Sequence, residues 1–187
     1  MDMTKTYRAS KKFAEKAAWD FVANEKPNFD LATINNTYTF GPIQRSLASL
    51  EGMNTSNHRI RNLVQGEMRD EIAPTAPVFT FVDVRDVALA HVRAMTIPEA
   101  GGNRFYLVGG YFTNGKIAGI IRGDKEYEKL LGDKLPSEEV IASSDDFPDD
   151  HWKFDSSKSR RVLGLDYVSL EKSVLDTVES IVKFKGQ

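Results

Sequence analysis

Tyr7 and Lys11 stand four residues apart near the start of the chain. On a helix that spacing puts both side chains on one face, one turn apart. A phenol has a reference pKa of about 10, so alone it relays a proton reluctantly at neutral pH. An ammonium beside it favours the phenolate and eases the transfer. Together they make an acid/base centre suited to reducing a carbonyl. By spacing alone, the pair reads first as a solvated helix face.

The element that must hold the pair is a helix from about Tyr7 to Asn24. Phe13, Ala17, Phe21 and Val22 fall at helical spacing, and Lys12, Glu15, Lys16 and Asp20 fill other faces. Pro27 ends it. Phe29 to Asn35 reads as a short apolar strand, and Gly41-Pro42 as a turn. Asn54, Thr55 or Ser56 can cap a helix running to about Val64. Val78 to Val82 is a second strand. Asp83 caps a helix that continues to about Met95, with Asp86 in its first turn and Val87, Ala90, His91 and Ala94 along its apolar side. Arg104 to Val108 is a third strand. Helices follow near Lys116–Arg122, capped by Thr113, and near Lys125–Leu131. Residues 136–150 read as a polar surface loop with one short strand near Val140-Ile141. Asp155 caps a helix that stops at Gly164. Ser169 caps the last one, whose face is Val174, Leu175, Val178, Ile181 and Val182. Strands alternating with helices give an α/β fold.

Composition removes several classes of function. The net charge of -2 gives no electrostatic reason to expect nucleic acid or an anionic membrane. With no cysteine there are no disulfides, thiolate ligands or cysteine nucleophiles. No apolar run approaches the roughly 20 residues that span a bilayer, and the start at Met1-Asp2-Met3 has no hydrophobic signal region. The expectation is a soluble, cytoplasmic protein. His58 and His151 have no partners at metal-ligand spacing, so no metal site is expected. His91 reads as a packed helix-face residue, and Asp145, Asp146, Asp149 and Asp150 as a solvated loop. Trp19 and Trp152 read as packing residues.

Context beyond spacing raises the Tyr–Lys pair. The stretch Tyr7-Arg8-Ala9-Ser10-Lys11-Lys12-Phe13-Ala14-Glu15-Lys16-Ala17-Ala18-Trp19-Asp20-Phe21 resembles the active-site helix of extended short-chain dehydrogenases/reductases, in particular the fungal methylglyoxal/carbonyl reductases and plant dihydroflavonol reductase. Further segments resemble the same family in its own order. Thr33-Ile34-Asn35-Asn36-Thr37-Tyr38-Thr39-Phe40-Gly41-Pro42 is similar to the strand end and loop beside the nicotinamide. Phe81-Val82-Asp83-Val84-Arg85-Asp86-Val87-Ala88 is similar to the strand-to-helix junction after it, and Phe154-Asp155-Ser156-Ser157-Lys158-Ser159 with Leu163-Gly164 to the late strand and helix.

The resemblance implies the C-terminal half of a Rossmann-like fold with its small substrate-binding region. Residues 1–187 would form a single incomplete domain. In it, 1–42 would be the active-site helix and following strand of the Rossmann-like part, and 43–187 mostly the substrate-side region. It implies NADPH-dependent reduction of a small aldehyde or ketone. Tyr7 would protonate the substrate oxygen, and Lys11 would hold the ribose hydroxyls and tune Tyr7. Asn36 and Thr37 would face the carboxamide, Tyr38 would line the substrate pocket, and Thr55 and Ser56 would lie near the cofactor phosphates. A homodimer through the helix of Tyr7 is expected by the same resemblance.

The sequence departs from the family pattern in two places. Asn36 stands where the family usually has proline. The Gly-rich turn after a first strand is missing, since Gly101-Gly102 and Gly109-Gly110 with Gly115 do not fit G-x-G-x-x-G. The family's active-site hydroxyl lies well upstream of its tyrosine, and Thr4, Thr6 and Ser10 do not take that place. NADPH over NADH therefore rests on the resemblance alone. The chain by itself is expected to be marginally stable, open at a sheet edge and inactive. The rival reading is a non-catalytic truncated paralogue or partner-binding fragment. A third, an unrelated α/β module with an accidental Tyr–Lys pair, fails on the ordered run of similar segments.

Overall fold

The structure is a computed structural model that describes residues 3–44 and 46–184. Met1 and Asp2, read above as the start of the chain, and the side chain of Thr4 lie outside that description. In chain order the elements are α1 (Met3–Glu25), β1 (Thr33–Asn36), β2 (Tyr38–Phe40), α2 (His58–Gln65), β3 (Thr80–Asp83), α3 (Val84–Thr96), β4 (Arg104–Leu107), β5 (Gly110–Tyr111), α4 (Asn114–Gly123), α5 (Lys125–Leu131), α6 (Glu138–Ala142), α7 (Ser157–Leu163) and α8 (Leu170–Val182). The alternation of strands and helices expected from the sequence is present, and the fold is α/β.

The strands form two short sheets. β1 pairs with β4 in parallel, Thr33 opposite Arg104 and Asn36 opposite Leu107. β2 pairs with β3 in parallel, and β5 adds to β3 antiparallel. All four residues of β3 are buried, as expected where a central strand is covered on both faces. Its side chains alternate between two cores. Phe81 joins Phe40, Phe112, Ile60, Leu63, Ile117, Val174 and Val178 on one side, while Val82 joins Ala90, Phe105, Leu107 and Leu163 on the other. β1 has only β4 as a partner among the described residues, so its second edge is open there.

A charged knot fixes the end of β3. Asp83 is fully buried, and its Oδ1 accepts the Arg85 backbone N–H at 2.8 Å, capping α3 as its position predicted. The Arg85 guanidinium donates to both Asp83 oxygens and, at 2.6 Å, to Asp176 on α8. Burial pushes the Asp83 carboxyl up, but the bonds from Arg85 outweigh it and hold the group below the usual range. Asp86, also buried, accepts from the Val168 N–H at 3.0 Å, and burial raises its carboxyl. Gly41 is required where β2 meets this knot: it has φ +129, and a Cβ there would lie 2.6 Å from Val84 Cγ1.

Several sequence expectations need correction. The segment around Val140-Ile141 is helical, because Ser137 caps it by accepting from Val140 N–H and two glutamates occupy the first turn. The strand expected over Phe29–Asn35 begins only at Thr33. Phe154 precedes α7 without forming a strand. Ser156 takes the N-cap position of α7, while Asp155 accepts from the Ser157 N–H. His91 is exposed, its Nδ1 paired with Val87 O one turn back. Trp152 is 49% exposed, stacked on His151.

α1 is attached differently from every other long helix. None of residues 5–25 is buried, and Tyr7, Phe13 and Phe21 are 63%, 65% and 51% exposed. Its attachment centres on Glu15. That carboxylate accepts from Thr33 Oγ1 at 2.9 Å, Asn35 Nδ2 at 3.4 Å and Arg104 Nε at 2.8 Å, joining the helix to β1 and β4. The Arg104 guanidinium holds the Glu15 carboxyl at about 2, against an ordinary 4.5.

A carboxylate whose pKa falls on folding contributes stability that is complete above its unfolded value and lost as pH falls through the folded one. The α1 tie should therefore be intact above pH 4.5 and weaken as pH drops toward 2. At neutral pH, Glu15→Gln should speed amide exchange in residues 7–20 roughly tenfold while leaving α8 unchanged. Unchanged exchange in α1, measured by mass spectrometry, would show that the helix is held by something else.

Candidate functional site

The structure brings Tyr7 and Lys11 together as the spacing requires. Lys11 Nζ lies 5.7 Å from the centroid of the Tyr7 ring. The backbone carbonyl of Tyr7 accepts from Ser10 Oγ at 2.7 Å, a local bond that occupies that hydroxyl. Both members of the pair are exposed. Glu15 follows Lys11 by one turn on the same face, so the residue that ties the helix down is in line with the pair it positions.

A second group forms around β2. Asn36 Nδ2 donates to Thr37 O at 3.2 Å and to Thr39 Oγ1 at 2.9 Å. Thr37 Oγ1 donates to Thr80 O at 2.7 Å, pinning the approach to β2 against β3. Asn36 thus makes polar contacts that proline could not. The segment 54–57 is stitched to the same strand. Ser56 Oγ accepts the Thr39 N–H at 3.3 Å, Asn54 Nδ2 donates to Thr39 O at 2.8 Å, and Asn57 Nδ2 donates to Gly41 O at 2.8 Å. Asn36 and Ser56 therefore both bond Thr39, although twenty residues separate them in the chain, while no described hydrogen bond joins Thr55 to Asn36 or Thr37.

The capping expectation is corrected here. Residues 55–57 form a 3-10 turn that leads directly into α2, and neither Asn54 nor Asn57 makes a side-chain cap bond. The Ser56 hydroxyl is engaged by β2 instead. The first N–H groups of such a turn have no partner within it. That suits an anion, so the donor chemistry of 55–56 fits a cofactor phosphate.

Tyr38 lies edge-on to Phe112, ring centroids 5.6 Å apart, beneath the guanidinium of Arg59 at 4.9 Å. Its hydroxyl accepts from Arg59 at 3.3 Å. No described hydrogen bond or ring contact joins Tyr7 or Lys11 to Asn36, Thr37 or Tyr38.

Cavities fall elsewhere. A cleft of about 990 Å³ lies among α4, α6 and α8, lined by Phe112, Gly115, Gly119, Ile141, Phe147 and Leu175. None of the expected site residues lines it. A groove of about 550 Å³ runs beside β1, between Leu31, Ile34, His91 and Met95. Among the described residues no cluster of His, Asp or Glu could hold a metal, and no helix is long and apolar enough to cross a membrane.

Sequence reading missed Arg59, Arg104 and the anchoring role of Glu15. Glu15 had a legible signal, its place one turn after Lys11. Arg104 is 89 residues away, and nothing local announces that pairing.

No protein-family model matches the chain. Individual relatives do. Ketoreductase azaE of Aspergillus niger is 49% identical over 178 residues, which is 95% of this chain and 51% of that protein. The putative NADPH-dependent methylglyoxal reductase GRP2 of Candida albicans is 36% identical, over 94% of this chain and 50% of its own length. The crystal structure of yeast methylglyoxal/isovaleraldehyde reductase Gre2 complexed with NADPH superimposes with a TM-score of 0.79 at 31% identity, covering 95% of this chain and 51% of that one. These matches define the class: the chain is the counterpart of the C-terminal half of an extended short-chain dehydrogenase/reductase with a Rossmann-like α/β fold. The relatives just described are named as a ketoreductase and as methylglyoxal reductases, and the chain spans about half of their length.

The hydrogen bond from Thr39 to Ser56 should be measurable as stability. Ser56→Ala should cost about 1 kcal/mol in urea unfolding. Thr55→Ala, at an exposed position, should stay within about 0.5 kcal/mol of the parent. Equal effects would mean that Ser56 does not hold the 54–57 segment to β2.

Proposed function

We propose that this chain is the substrate-side half of an NADPH-dependent carbonyl reductase that acts on small aldehydes and ketones. The observation that carries the reading is the Tyr7–Lys11 pair: an ammonium 5.7 Å from a phenol ring, on a helix tied to a parallel sheet by Glu15. The order of the similar segments supports it, as do the relatives named for NADPH-dependent methylglyoxal reduction.

When bound, NADPH supplies the hydride that reduces the carbonyl carbon. The chain's own residues do the rest. Tyr7 gives its hydroxyl proton to the carbonyl oxygen, which becomes the alcohol. Lys11 faces the negative charge left on the Tyr7 oxygen and donates to the ribose hydroxyls. Asn36, bonded to Thr39, and Thr37, bonded to Thr80 on β3, present polar groups and backbone to the carboxamide. Thr55 and Ser56 offer N–H groups to a phosphate, and Tyr38 borders the substrate.

Residues 1–42 act as the active-site helix and following strand of the Rossmann-like unit, and 43–187 mostly as the substrate-side region with returning strands such as β4. The open edge of β1 suits a further parallel strand from a nucleotide-binding half. The exposed Phe13 and Phe21 on α1 suit burial against that half or a second copy. Nothing in the chain matches the Gly-rich turn that holds a pyrophosphate, so we expect the 187 residues alone to be inactive. The working enzyme is cytoplasmic.

The test joins this chain behind the nucleotide-binding half of the Candida albicans relative. Tyr7→Phe should abolish reduction of a reactive dicarbonyl and leave NADPH affinity within about threefold. Lys11→Ala should lower both rate and affinity. An active Tyr7→Phe chimera would remove Tyr7 from the chemistry.

A further inference from the structure

Glu15 stands four residues after Lys11, and a lysine and a glutamate at that spacing can pair on a helix surface. Here they do not. The Glu15 Oε1 accepts from three neutral donors, Thr33, Asn35 and Trp19, and from Arg104 Nε at 2.8 Å. Among the described residues its Oε2 is reached by Arg104 alone, through Nη2 at 3.3 Å. Arg104 is thus the cation that neutralises a carboxylate whose side chain is only 19% exposed. Lys11 is left to Tyr7. Its Nζ lies 5.7 Å from that ring centroid, and among the described residues it has no ion pair. Lys16 is bonded to Asp20, while Lys12, three residues before Glu15, has no described ion pair either.

Without Arg104 the neutral donors would still reach Oε1, but the charge and Oε2 would have no cation. Coulomb attraction then draws the carboxylate toward Lys11, the ammonium one turn back on the same face. That contact would harm the pair in two ways. An ammonium has three donors, and one spent on Glu15 is withheld from the ribose hydroxyls. A carboxylate beside Lys11 also opposes the negative charge that develops on the Tyr7 oxygen.

We propose that Arg104 is a positioning residue for the acid/base pair: by holding Glu15 on the sheet, it keeps that carboxylate off Lys11 and leaves the ammonium for Tyr7 and the cofactor. This rests on the carbonyl-reductase reading above. It differs from a bracing role in one measurable respect. If Arg104 only fixed α1, removing Glu15 as well would repair nothing. If Arg104 withholds a harmful charge, removing that charge removes the harm.

The experiment uses the same chimera and measures kcat and KM for NADPH with a reactive dicarbonyl at neutral pH. Arg104→Met should lower kcat/KM about fivefold, with kcat and KM moving in the directions seen for Lys11→Ala. Arg104→Lys, which keeps a cation on Glu15, should recover most of the loss. Glu15→Gln weakens the tie of α1 but brings no charge to Lys11, and should lower kcat/KM about twofold. The double variant of Glu15→Gln and Arg104→Met should return to that level, about twofold below the parent. Carbon-13 NMR of the lysine-labelled 187-residue chain reads the contact without turnover. Glu15→Gln should leave the Lys11 Cε resonance in place when Arg104 is present, and move it in the Arg104→Met background. Arg104→Met no worse than Glu15→Gln, or a double variant as poor as Arg104→Met, would overturn the inference and leave the reductase reading standing. Arg104 would then be a brace, or Glu15 would have turned to Lys12. If the parent chimera reduces nothing, the reductase reading fails and takes the catalytic role of Arg104 with it. A Lys11 resonance indifferent to Glu15 in both backgrounds would remove the electrostatic role as well.

Discussion

Among the described bonds, the Glu15 carboxylate ties the helix of the candidate acid/base pair to the sheet. Glu15 gathers donors from Thr33 and Asn35 on β1 and from Arg104 on β4, and it lies one turn beyond Lys11 on the same helix. Thr33 and Arg104 are register partners across the parallel pair, so the two strands present their donors side by side. Charge-assisted bonds of this kind are stronger than neutral ones. With an Arg104 side chain 59% exposed, however, water and salt weaken the ion pair. α1 is thus located by polar geometry rather than by buried apolar area, and everything asked of Tyr7 and Lys11 depends on that.

The remainder of the molecule is built on the opposite principle. β3 is covered on both faces, and its end is locked by Asp83, Arg85 and Asp176, which connects the sheet to α3 and α8. Removing Arg85 would leave the buried Asp83 carboxylate uncompensated, so the knot couples the central strand to the last helix. The expectation is two stability regimes in one chain: a cooperative block of β1 to β5 with its buried helices, and α1, which has no buried residue among 5–25. The frame that holds Asn36, Thr37, Tyr38 and Ser56 belongs to the block. The pair that would deliver the proton belongs to the exposed helix α1.

What was legible in the sequence was what local chemistry determines. Asp83, Thr113, Asp124 and Ser169 all cap helices through their side chains, and three of these four capping positions could be read from residue type and position. The Tyr7–Lys11 approach followed from helical spacing, and the α/β class from alternation. Short irregular segments were less legible. Residues 138–142 carry β-branched Val140 and Ile141, but a Ser137 cap and acidic first turn decide for a helix. Ser56 looked like a capping residue, and tertiary bonding to β2 claimed its hydroxyl. Arg59 and Arg104 could not be found by pattern, because their partners lie 16 to 89 residues away and only the fold brings them near.

Calorimetric titration of the 187-residue chain with NADPH, run beside a spectrophotometric assay with a reactive dicarbonyl, tests most directly whether this is one half of a reductase. Holding a nicotinamide in line with its substrate can contribute roughly 7–11 kcal/mol of barrier lowering, and the chain has no recognisable turn to grip the pyrophosphate that fixes it. The expected result is no micromolar binding and no turnover from the chain alone. Micromolar binding accompanied by turnover would contradict this, and would place a complete cofactor site within these residues.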